Sequence, residues 1–459
     1  MKYYLAIDIG ASSGRHILGH IENGKLCLEE IYRFDNGYVE KNGHFYWDTE
    51  SLFKNVCEGI KKCKEIGKIP ETLAIDTWGV DYALLDANGN IIDGVIAYRD
   101  SRTLAIMDEV YSIVSKREQY DRTGMAENSF NTVFQLYEDK KSGRIASAES
   151  ILFIPCYLNY LLTGVMKNEY TFASTTGLIN VKTRDWDKDI INRLGLPEKL
   201  FGKLEEPGTE VGHIKPEIAG FDCKVILPPC HDTASAVVAV PDPDGAPLYI
   251  SSGTWSLFGI ESKVPYTDEY AEKQGFTNEG GVNGTIRFLQ NIMGLWMIQS
   301  VKRELKGKYN YQQLMEIAQN SKYEGIADVA DERFLAPESM INAINGQLVE
   351  LGFGAPADIA DTVRAIYHGL AKAYAKAADG IENITGNKYD TIYIVGGGSK
   401  DAYLNELTAK YSGRRVVTGV TEATAIGNLA IQLIAGGEIA DTRAARQLIA
   451  NSFPLVEVL

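Results

Sequence analysis

Residues 3–18 read YYLAIDIGASSGRHIL, and this stretch decides the fold. An apolar run, a turn of small polar residues and a second apolar run together predict strand, turn and strand. The same design returns at residues 248–260, which read LYISSGTWSLFGI. Two halves that open in the same way indicate a duplicated domain with a ligand held between the halves.

A cluster of proline and glycine separates these halves. Residues 241–247 read PDPDGAP, the densest such punctuation in the chain. Punctuation of this kind is typical of a boundary between domains. We therefore predict an N-terminal domain over residues 1–243 and a C-terminal domain over residues 244–459.

Apolar spacing predicts the main helices. Residues 51–66 and 363–381 carry apolar side chains at helical intervals, and residues 151–165 read as a buried core helix. Residues 291–299 predict the start of another helix. The small residues from Thr421 to Gly427 predict a helix that packs closely against the site of the glycine triplet described below. Strands alternate with these helices, so the fold class is α/β.

The composition limits the classes of partner. The chain of 459 residues has 46 Lys and Arg against 61 Asp and Glu, a net charge of −15. This balance argues against a broad nucleic-acid surface or an anionic membrane as partner. No stretch approaches the ~20 apolar residues of a membrane span. The six cysteines lack a C-x-x-C pair and are expected to be reduced thiols, so we predict a cytoplasmic protein.

The turn after the first strand has the residues of an anion site. Ser12 and Ser13 offer hydroxyls, Arg15 offers a cation, and Gly10 and Gly14 provide positive φ or close approach. Such a turn wraps an oxyanion in backbone N–H groups. Just before it, Asp8 at the strand end is expected to hold Mg²⁺, through water. The alternative is a hairpin turn that binds no ligand.

A carboxylate stands where the chain passes from strand to helix in residues 229–236, PCHDTASA. Asp232 follows an apolar strand and precedes small residues that let a ligand approach, which suits a general base for a hydroxyl nucleophile. The alternative is an N-cap, since Asp and Thr are common at the start of a helix.

Two further strand ends carry residues that suit a ligand, aromatic and acidic side chains beside a glycine at one end and three glycines at the other. Trp78, Gly79 and Asp81 in the string DTWGVD suit a sugar, with an aromatic face, an open backbone and an acceptor for hydroxyls. A core Trp with a surface Asp is the alternative. Residues 396–398 are three glycines after the strand 391–395, which allows a flat ring or a phosphate to lie on bare backbone.

Several of these strings together resemble the FGGY family of carbohydrate kinases, over essentially the whole chain. The resemblance is carried, in chain order, by DIGASSGR (8–15), DTWGVD (76–81), YRDSRT (98–103), HDTASA (231–236), SSGTWS (251–256), NIMGLW (291–296) and VGGG (395–398). It implies two actin-like, ribonuclease H-like ATPase domains with a ligand cleft between them.

The implied activity is transfer of the γ-phosphoryl group of ATP to the primary hydroxyl of a ketose, with Mg²⁺. The expected acceptor is O1 of L-rhamnulose in rhamnose catabolism, and the alternatives are L-fuculose or a pentulose. A non-kinase, nucleotide-gated binding protein of the actin-like fold is a further alternative. The expected partners are the ketose and ATP, in a monomer or small homo-oligomer.

The resemblance also implies roles for individual residues. Asp232 matches the family's catalytic base. The positions that match ATP contacts are Ala11, Ser12, Ser13, Gly14, Arg15, Thr254, Gln299 and Gly397. The positions that match sugar contacts are Gly79, His231, Thr233 and Asn291, beside Trp78 and Asp81 from the strand-end pattern.

Overall fold

The computed structural model describes residues 1–243, 245, 247–335 and 337–458. Their contacts divide the chain into two units. Unit 1 comprises Met1–Asp244, Glu261–Phe288 and Ala423–Ser452, and unit 2 comprises Gly245–Ile260, Leu289–Glu422 and Phe453–Leu459. The predicted domain boundary falls at Asp244, outside the described residues, and it stays a prediction.

Strands and helices alternate through most of the chain, as the sequence predicts. The strands are β1 (Tyr3–Ile9), β2 (Ser13–Glu22), β3 (Lys25–Asp35), β4 (Tyr38–Lys41), β5 (His44–Trp47), β6 (Pro70–Thr77), β7 (Tyr82–Leu85), β8 (Val95–Ile96), β9 (Ser150–Phe153), β10 (Asn168–Glu169), β11 (Ile179–Asn180), β12 (Asp185–Trp186), β13 (Leu204–Glu205), β14 (Glu210–His213), β15 (Lys224–Ile226), β16 (Leu248–Ser252), β17 (Trp255–Ser262), β18 (Phe276–Gly280), β19 (Ile286–Met293), β20 (Thr391–Val395), β21 (Arg415–Thr418) and β22 (Val456–Val458). The helices are α1 (Thr49–Glu65), α2 (Met107–Ile113), α3 (Lys116–Thr123), α4 (Thr132–Lys141), α5 (Ile154–Thr163), α6 (Tyr170–Ala173), α7 (Lys188–Arg193), α8 (Pro216–Ala219), α9 (Asp232–Val238), α10 (Glu269–Lys273), α11 (Trp296–Glu304), α12 (Tyr311–Asn320), α13 (Met340–Glu350), α14 (Ile359–Thr385), α15 (Ala402–Ser412), α16 (Ala423–Ala435) and α17 (Thr442–Ser452).

The main sheet of unit 1 has the strand order β14-β15-β6-β1-β2-β3. β1 pairs antiparallel with β2 and parallel with β6, in a register that sets Asp8 beside Asp76. In-register neighbours on parallel strands point to the same face of a sheet. A bridge joins Thr77, the last residue of β6, to His231. The ends of β1, β6 and β15 therefore meet at one edge of the sheet, where Asp232 begins α9.

Unit 2 repeats this pairing. Its strands run in the order β19, β17, β16, β20, β21, β22. β16 pairs antiparallel with β17 and parallel with β20, just as β1 pairs with β2 and β6. The duplication predicted from the two strand-turn-strand motifs is therefore confirmed in the backbone.

Helix α1 has the apolar spacing that the sequence predicts. Its side chains Leu52, Val56 and Ile60 are buried. The N-cap residue Asp48 accepts a hydrogen bond from the backbone N–H of Ser51 at 3.0 Å. This bond satisfies one of the N–H groups that the first turn of a helix leaves without a partner.

Helix α16 packs on β1, β6 and α9 in unit 1. Its buried Gln432 donates to the backbone oxygen of Leu5 at 3.0 Å and accepts from Thr72 at 2.6 Å. Gly427 lies so near α9 that an added Cβ would be 1.8 Å from the backbone oxygen of Ser235. Close packing of the small residues therefore occurs with α9 as the partner, and packing against the glycine triplet stays a prediction.

Two predicted helices begin differently in the structure. Residues 151–165 divide into β9, which pairs with β7, and α5. A helix over the whole stretch is wrong because the apolar residues before Ile154 complete a strand pair, and Pro155 starts the helix in its first turn.

The second correction concerns residues 291–299. Asn291 lies in β19, and α11 begins only at Trp296. Gly294 separates them because a Cβ there would lie 2.7 Å from the backbone nitrogen of Ser256. The chain passes too close to β17 at that point for any residue but glycine.

All six cysteines are free thiols, as predicted. Among the helices formed by the described residues, none is long and apolar enough to cross a bilayer.

Candidate active site

The turn between β1 and β2 is held by its own backbone. The N–H of Gly10 donates to the oxygen of Ser13 at 2.9 Å, and the side chain of Asn36 donates to the oxygen of Gly10 at 2.9 Å. Gly14 is required by close approach, since a Cβ there would lie 2.2 Å from the ring of Phe34. Gly10 has no positive φ, and a Cβ there would meet Ser13 at an ordinary 3.6 Å, so no contact among the described residues requires glycine. Close approach of an anion to Gly10 stays a prediction.

Arg15 and Asp8 are partners across this hairpin. Nε and Nη2 of Arg15 donate to Oδ2 of Asp8 at 3.0 and 2.8 Å. The predicted anion-binding cation and the predicted metal-binding carboxylate therefore stand together at the end of β1, with Ala11, Ser12 and Ser13 in the turn beside them.

Asp76 adds a second carboxylate beside Asp8, and its side chain is fully buried. Its Oδ2 accepts from Asn428 at 2.5 Å, whereas Oδ1 has no hydrogen-bond partner within the described part of the chain. Burial raises the pKa of Asp76 well above its usual range, and the charges of Asp8 and Asp232 raise it further. The hydrogen bond from Asn428 lowers this pKa but does not outweigh the other effects. An unpartnered carboxylate oxygen beside other carboxylates fits Mg²⁺, which takes oxygen ligands.

Asp232 is the first residue of α9, and His231 occupies the N-cap position without a capping hydrogen bond from its side chain. The N-cap alternative for Asp232 is therefore wrong. Its Oδ1 accepts from the backbone N–H of Thr233 at 2.5 Å and from the hydroxyl at 3.1 Å. No donor among the described residues bonds to Oδ2, and the side chain is 32% exposed. One carboxylate oxygen is thus open to accept a proton.

The electrostatic surroundings of Asp232 favour proton uptake. Desolvation raises the pKa of its carboxyl, the charge of His231 lowers it, and the charge of Asp8 raises it again, with a net upward shift. A raised pKa makes a carboxylate a stronger base, which suits the abstraction of a hydroxyl proton.

His231 lies between Asp232 and a buried ion pair. Its Nε2 is 3.5 Å from Oδ1 of Asp232. Its Nδ1 is 3.2 Å from Nη2 of Arg287 and 3.3 Å from Oε2 of Glu279. Burial would raise the pKa of Glu279, but the charge of Arg287 and the contact with His231 outweigh it and lower the pKa to about 2.

Glu279 and Arg287 were not predicted from the sequence. The available signal was a charge inside an apolar run, because Arg287 stands between Ile286 and Phe288 in β19. Glu169 was not predicted either; it is fully buried and accepts from the backbone N–H of Cys230 at 3.0 Å. Glu169 thereby supports the loop that leads to His231.

The string DTWGVD forms a buried aromatic cluster. Oδ2 of Asp81 accepts from the indole N–H of Trp47 at 2.7 Å and of Trp78 at 2.9 Å, and the two rings lie 4.1 Å apart. Burial raises the pKa of Asp81 to about 6 against these hydrogen bonds. The surface-Asp alternative is therefore wrong, while Trp78, at 6% exposed, is a core residue. Direct sugar contacts of Trp78 and Asp81 stay predictions.

The backbone next to this cluster is strained and lies beside His231. Val80 has a φ of 68°, which is rare for a β-branched residue. Thr132 donates to the oxygen of Val80 at 2.6 Å, and Thr175 accepts from its N–H at 3.3 Å. A Cβ on Gly79 would lie 3.3 Å from Nε2 of His231. Because such strain concentrates at functional sites, we regard the turn at Gly79 as part of the site.

Unit 2 holds the remaining predicted residues. A Cβ on Gly398 would lie 1.9 Å from Oγ of Ser252 and one on Gly396 2.9 Å from its backbone oxygen, whereas Gly397 has no described neighbour within 4 Å. The backbone oxygen of Thr254 accepts from the N–H of Trp296 at 3.0 Å. Gly397 therefore offers the open backbone that the glycine triplet predicts.

Gln299 lies on α11 and lines a cavity in the same unit. The cavity has a volume of about 350 Å³, and Lys302, Arg303 and Tyr311 also line it. Asn291, the last predicted residue of this half, lies in β19. Two cations and an amide around an open cavity are suited to an anionic ligand.

Residues 3–239 match the N-terminal domain of the FGGY family of carbohydrate kinases, and residues 248–436 match its C-terminal domain. The chain belongs to the FGGY family of carbohydrate kinases. This confirms the predicted two-domain fold and the predicted enzyme class, a kinase that acts on a sugar with ATP.

Three curated relatives that match nearly the full chain are all rhamnulokinases. The rhamnulokinase of Oceanobacillus iheyensis is 45% identical, over 98% of this chain and 97% of the relative. The rhamnulokinase of Halalkalibacterium halodurans is 44% identical, over 99% of this chain and 98% of the relative. The rhamnulokinase of Bacillus subtilis is 42% identical, over 98% of this chain and 94% of the relative.

Solved structures share the fold at low sequence identity. A ligand-bound xylulose kinase from Lactobacillus acidophilus superposes with a TM-score of 0.82 at 18% identity, covering 100% of this chain and 94% of that one. A glycerol kinase from Plasmodium falciparum with ADP gives a TM-score of 0.75 at 15% identity, covering 100% and 94%. These likenesses support the fold alone.

Proposed function

We propose that the protein transfers the γ-phosphoryl group of ATP to O1 of L-rhamnulose, giving L-rhamnulose 1-phosphate and ADP. The observation that carries the chemistry is Oδ2 of Asp232, which accepts no hydrogen bond from the described residues. Asp232 lies at the same end of the sheet as Asp8 and Asp76, near the ends of β1 and β6. The choice of ketose rests on relatives named rhamnulokinase that match nearly the full chain at 42–45% identity. The cytoplasmic location and the oligomeric state stay predictions.

In this proposal Asp232 is the general base. It takes the proton of the O1 hydroxyl as the new O1–P bond forms and the bond from the γ-phosphorus to the bridging oxygen of ADP breaks. Phosphoryl transfer needs positioning and charge stabilisation more than covalent help from the protein. A base placed against the hydroxyl and amides placed against the phosphates therefore supply the main requirements.

The sugar is assigned to the residues around His231. Gly79 leaves the backbone open beside His231, and Thr233 and Asn291 supply further polar groups to the ketose. Trp78 and Asp81 are assigned to the same sugar site, and Asp81 fixes the indole of Trp78 by accepting from its N–H at 2.9 Å.

The nucleotide is assigned to both strand-turn-strand motifs. Ala11, Ser12, Ser13, Gly14 and Arg15 hold the transferred phosphate end. Thr254, Gln299 and Gly397 hold the rest of ATP, with Gly397 as open backbone. Mg²⁺, held by Asp8 and Asp76, would neutralise phosphate charge when bound.

If Asp76 binds Mg²⁺, replacing it by Asn should raise the stability of the metal-free protein and weaken its Mg²⁺ binding. The Asp76→Asn variant removes a buried carboxylate that lacks a partner on Oδ1, so its resistance to urea without metal should rise. The same variant should bind Mg²⁺ about 10-fold more weakly, since carboxylates that surround a metal contribute at this level. Urea unfolding and isothermal titration with Mg²⁺ in the presence of ADP measure the two effects.

The matched control is Asp187→Asn. Asp187 is also a buried carboxylate, but Arg122 binds it at 2.6 and 2.9 Å. This control should lose stability and keep its Mg²⁺ affinity. Loss of stability in Asp76→Asn with unchanged Mg²⁺ affinity would contradict the assignment of Asp76 to the metal.

The experiment for the whole proposal is a coupled ADP-release assay with Mg·ATP across L-rhamnulose, L-fuculose, L-ribulose and D-xylulose. ADP release should depend on L-rhamnulose most strongly. Preference for another ketose would retain the mechanism and change the substrate. ADP release independent of every ketose would favour a nucleotide-gated binding protein and contradict the kinase mechanism.

A further inference from the structure

The buried guanidinium of Arg287 faces the histidine next to the proposed base. Its side chain is fully buried on β19, and its Nε donates to the backbone oxygen of Gly280 at 2.9 Å. Its Nη2 reaches Nδ1 of His231 at 3.2 Å and Oε2 of Glu279 at 2.8 Å. The guanidinium is therefore fixed by the protein rather than by solvent.

Nδ1 of His231 has two neighbours, the donor Nη2 of Arg287 at 3.2 Å and the acceptor Oε2 of Glu279 at 3.3 Å. Pairing with Arg287 would fix one tautomer of the ring. A guanidinium carries only N–H donors, so Nη2 of Arg287 must donate to Nδ1. Nδ1 then presents its lone pair, because an N–H there would face another N–H at 3.2 Å. In the neutral ring the single proton is consequently on Nε2. Nε2 lies 3.5 Å from Oδ1 of Asp232, so its N–H faces the base.

Glu279 makes this arrangement possible and also competes with it. A buried guanidinium needs a counter-charge, and Glu279 is only 5% exposed at 2.8 Å from Arg287. Its Oε2 is also 3.3 Å from Nδ1 of His231. Without Arg287, this carboxylate would be the nearest partner of Nδ1, and it would draw the ring proton from Nε2 to Nδ1.

We propose that Arg287 is a positioning residue for phosphoryl transfer, which holds His231 as the Nε2–H tautomer so that the ring donates toward Asp232. The proposal rests on the proposed role of Asp232 as base. With the proton on Nε2, the ring presents an N–H 3.5 Å from Oδ1, and Oδ2 stays open to the sugar hydroxyl. With the proton on Nδ1, a lone pair would face the carboxylate and compete for the hydroxyl proton.

The test is the ¹⁵N spectrum of the full-length protein labelled at its six histidines, with His231 assigned by comparison with His231→Gln. In the wild type Nε2 of His231 should be protonated and Nδ1 unprotonated. In Arg287→Met the proton should move to Nδ1, and kcat should fall about 10²-fold, as for other small errors of placement. The KM for ATP should not change.

Two further variants guard against loss of folding. The double variant Arg287→Met with Glu279→Met replaces the pair by apolar side chains, which often leaves stability unchanged or raised. It should show both tautomers and a low kcat. Arg287→Lys keeps a donor and a positive charge, so it should restore part of kcat and most of the Nε2–H signal.

Three outcomes would contradict the positioning role of Arg287 or the base role of Asp232. A wild-type His231 protonated on Nδ1 would overturn the proposal without any variant. An unchanged tautomer in Arg287→Met with a lower kcat would assign Arg287 a purely structural role. An Asp232→Asn variant of full activity would remove the base role, and it would leave the tautomer result standing as a separate finding.

Discussion

The Asp232→Asn variant is expected to lose roughly 10²–10⁴ of its kcat, the usual contribution of a well-placed general base. The side-chain amide keeps an oxygen for the two hydrogen bonds from Thr233. It cannot accept the hydroxyl proton at the other position. Steady-state kinetics in the coupled assay give kcat, and calorimetric titration should find both ADP and L-rhamnulose bound nearly as in the wild type.

Asp48→Asn is the control for this change. Asp48 caps α1 at an exposed position, and Asn caps helices equally well. Its kcat should equal that of the wild type. An Asp232→Asn variant with more than about a tenth of wild-type kcat would contradict the base assignment.

The Gly427→Ala variant should be the most damaging change outside the site. A single methyl group at residue 427 would lie 1.8 Å from the backbone oxygen of Ser235, so α16 and α9 must move apart. Overpacking of this kind costs about 1–3 kcal/mol and occasionally more. Because α9 begins with Asp232, kcat should also fall. Urea unfolding and the coupled assay measure the two losses.

Gly346→Ala is the matched control, with the opposite expected sign. Gly346 lies within α13, it is exposed, and a Cβ there would have no described neighbour within 4 Å. The substitution should raise stability by about 1 kcal/mol, since Ala is the better helix former. Equal stability changes of the same sign in the two variants would show that the contact with Ser235 does not matter.

Much of the fold follows from local pattern. The strand-turn-strand motifs at residues 3–18 and 248–260 both form the predicted hairpins, each beside a parallel strand. These predictions succeed because short apolar runs with polar turns specify their own pairing. The prediction of one helix over residues 151–165 is wrong because an apolar run fits a buried strand as well as a buried helix. Pairing with β7 makes the first residues a strand.

The site could be predicted only where a residue has a local signal. Asp232 and Asp8 stand at strand ends that the sequence marks, and the structure gives each a partner in its own motif. Glu279 has no such signal, and the charge of Arg287 inside an apolar run does not show its partner. Both residues come from strands far along the chain from His231 and meet it only in the folded unit. Asp81 shows the reverse error, because a polar residue expected at the surface is buried by two indoles.

The most direct test of the central claim is the position of the phosphate in the product. After reaction of L-rhamnulose with Mg·ATP, a ³¹P–¹H correlation spectrum should couple the phosphorus to the two methylene protons on C1, with one ADP formed for each sugar consumed. Coupling to a single proton would place the phosphate on a secondary hydroxyl and contradict the assignment of O1. Formation of inorganic phosphate without any sugar phosphate would contradict the kinase reaction itself.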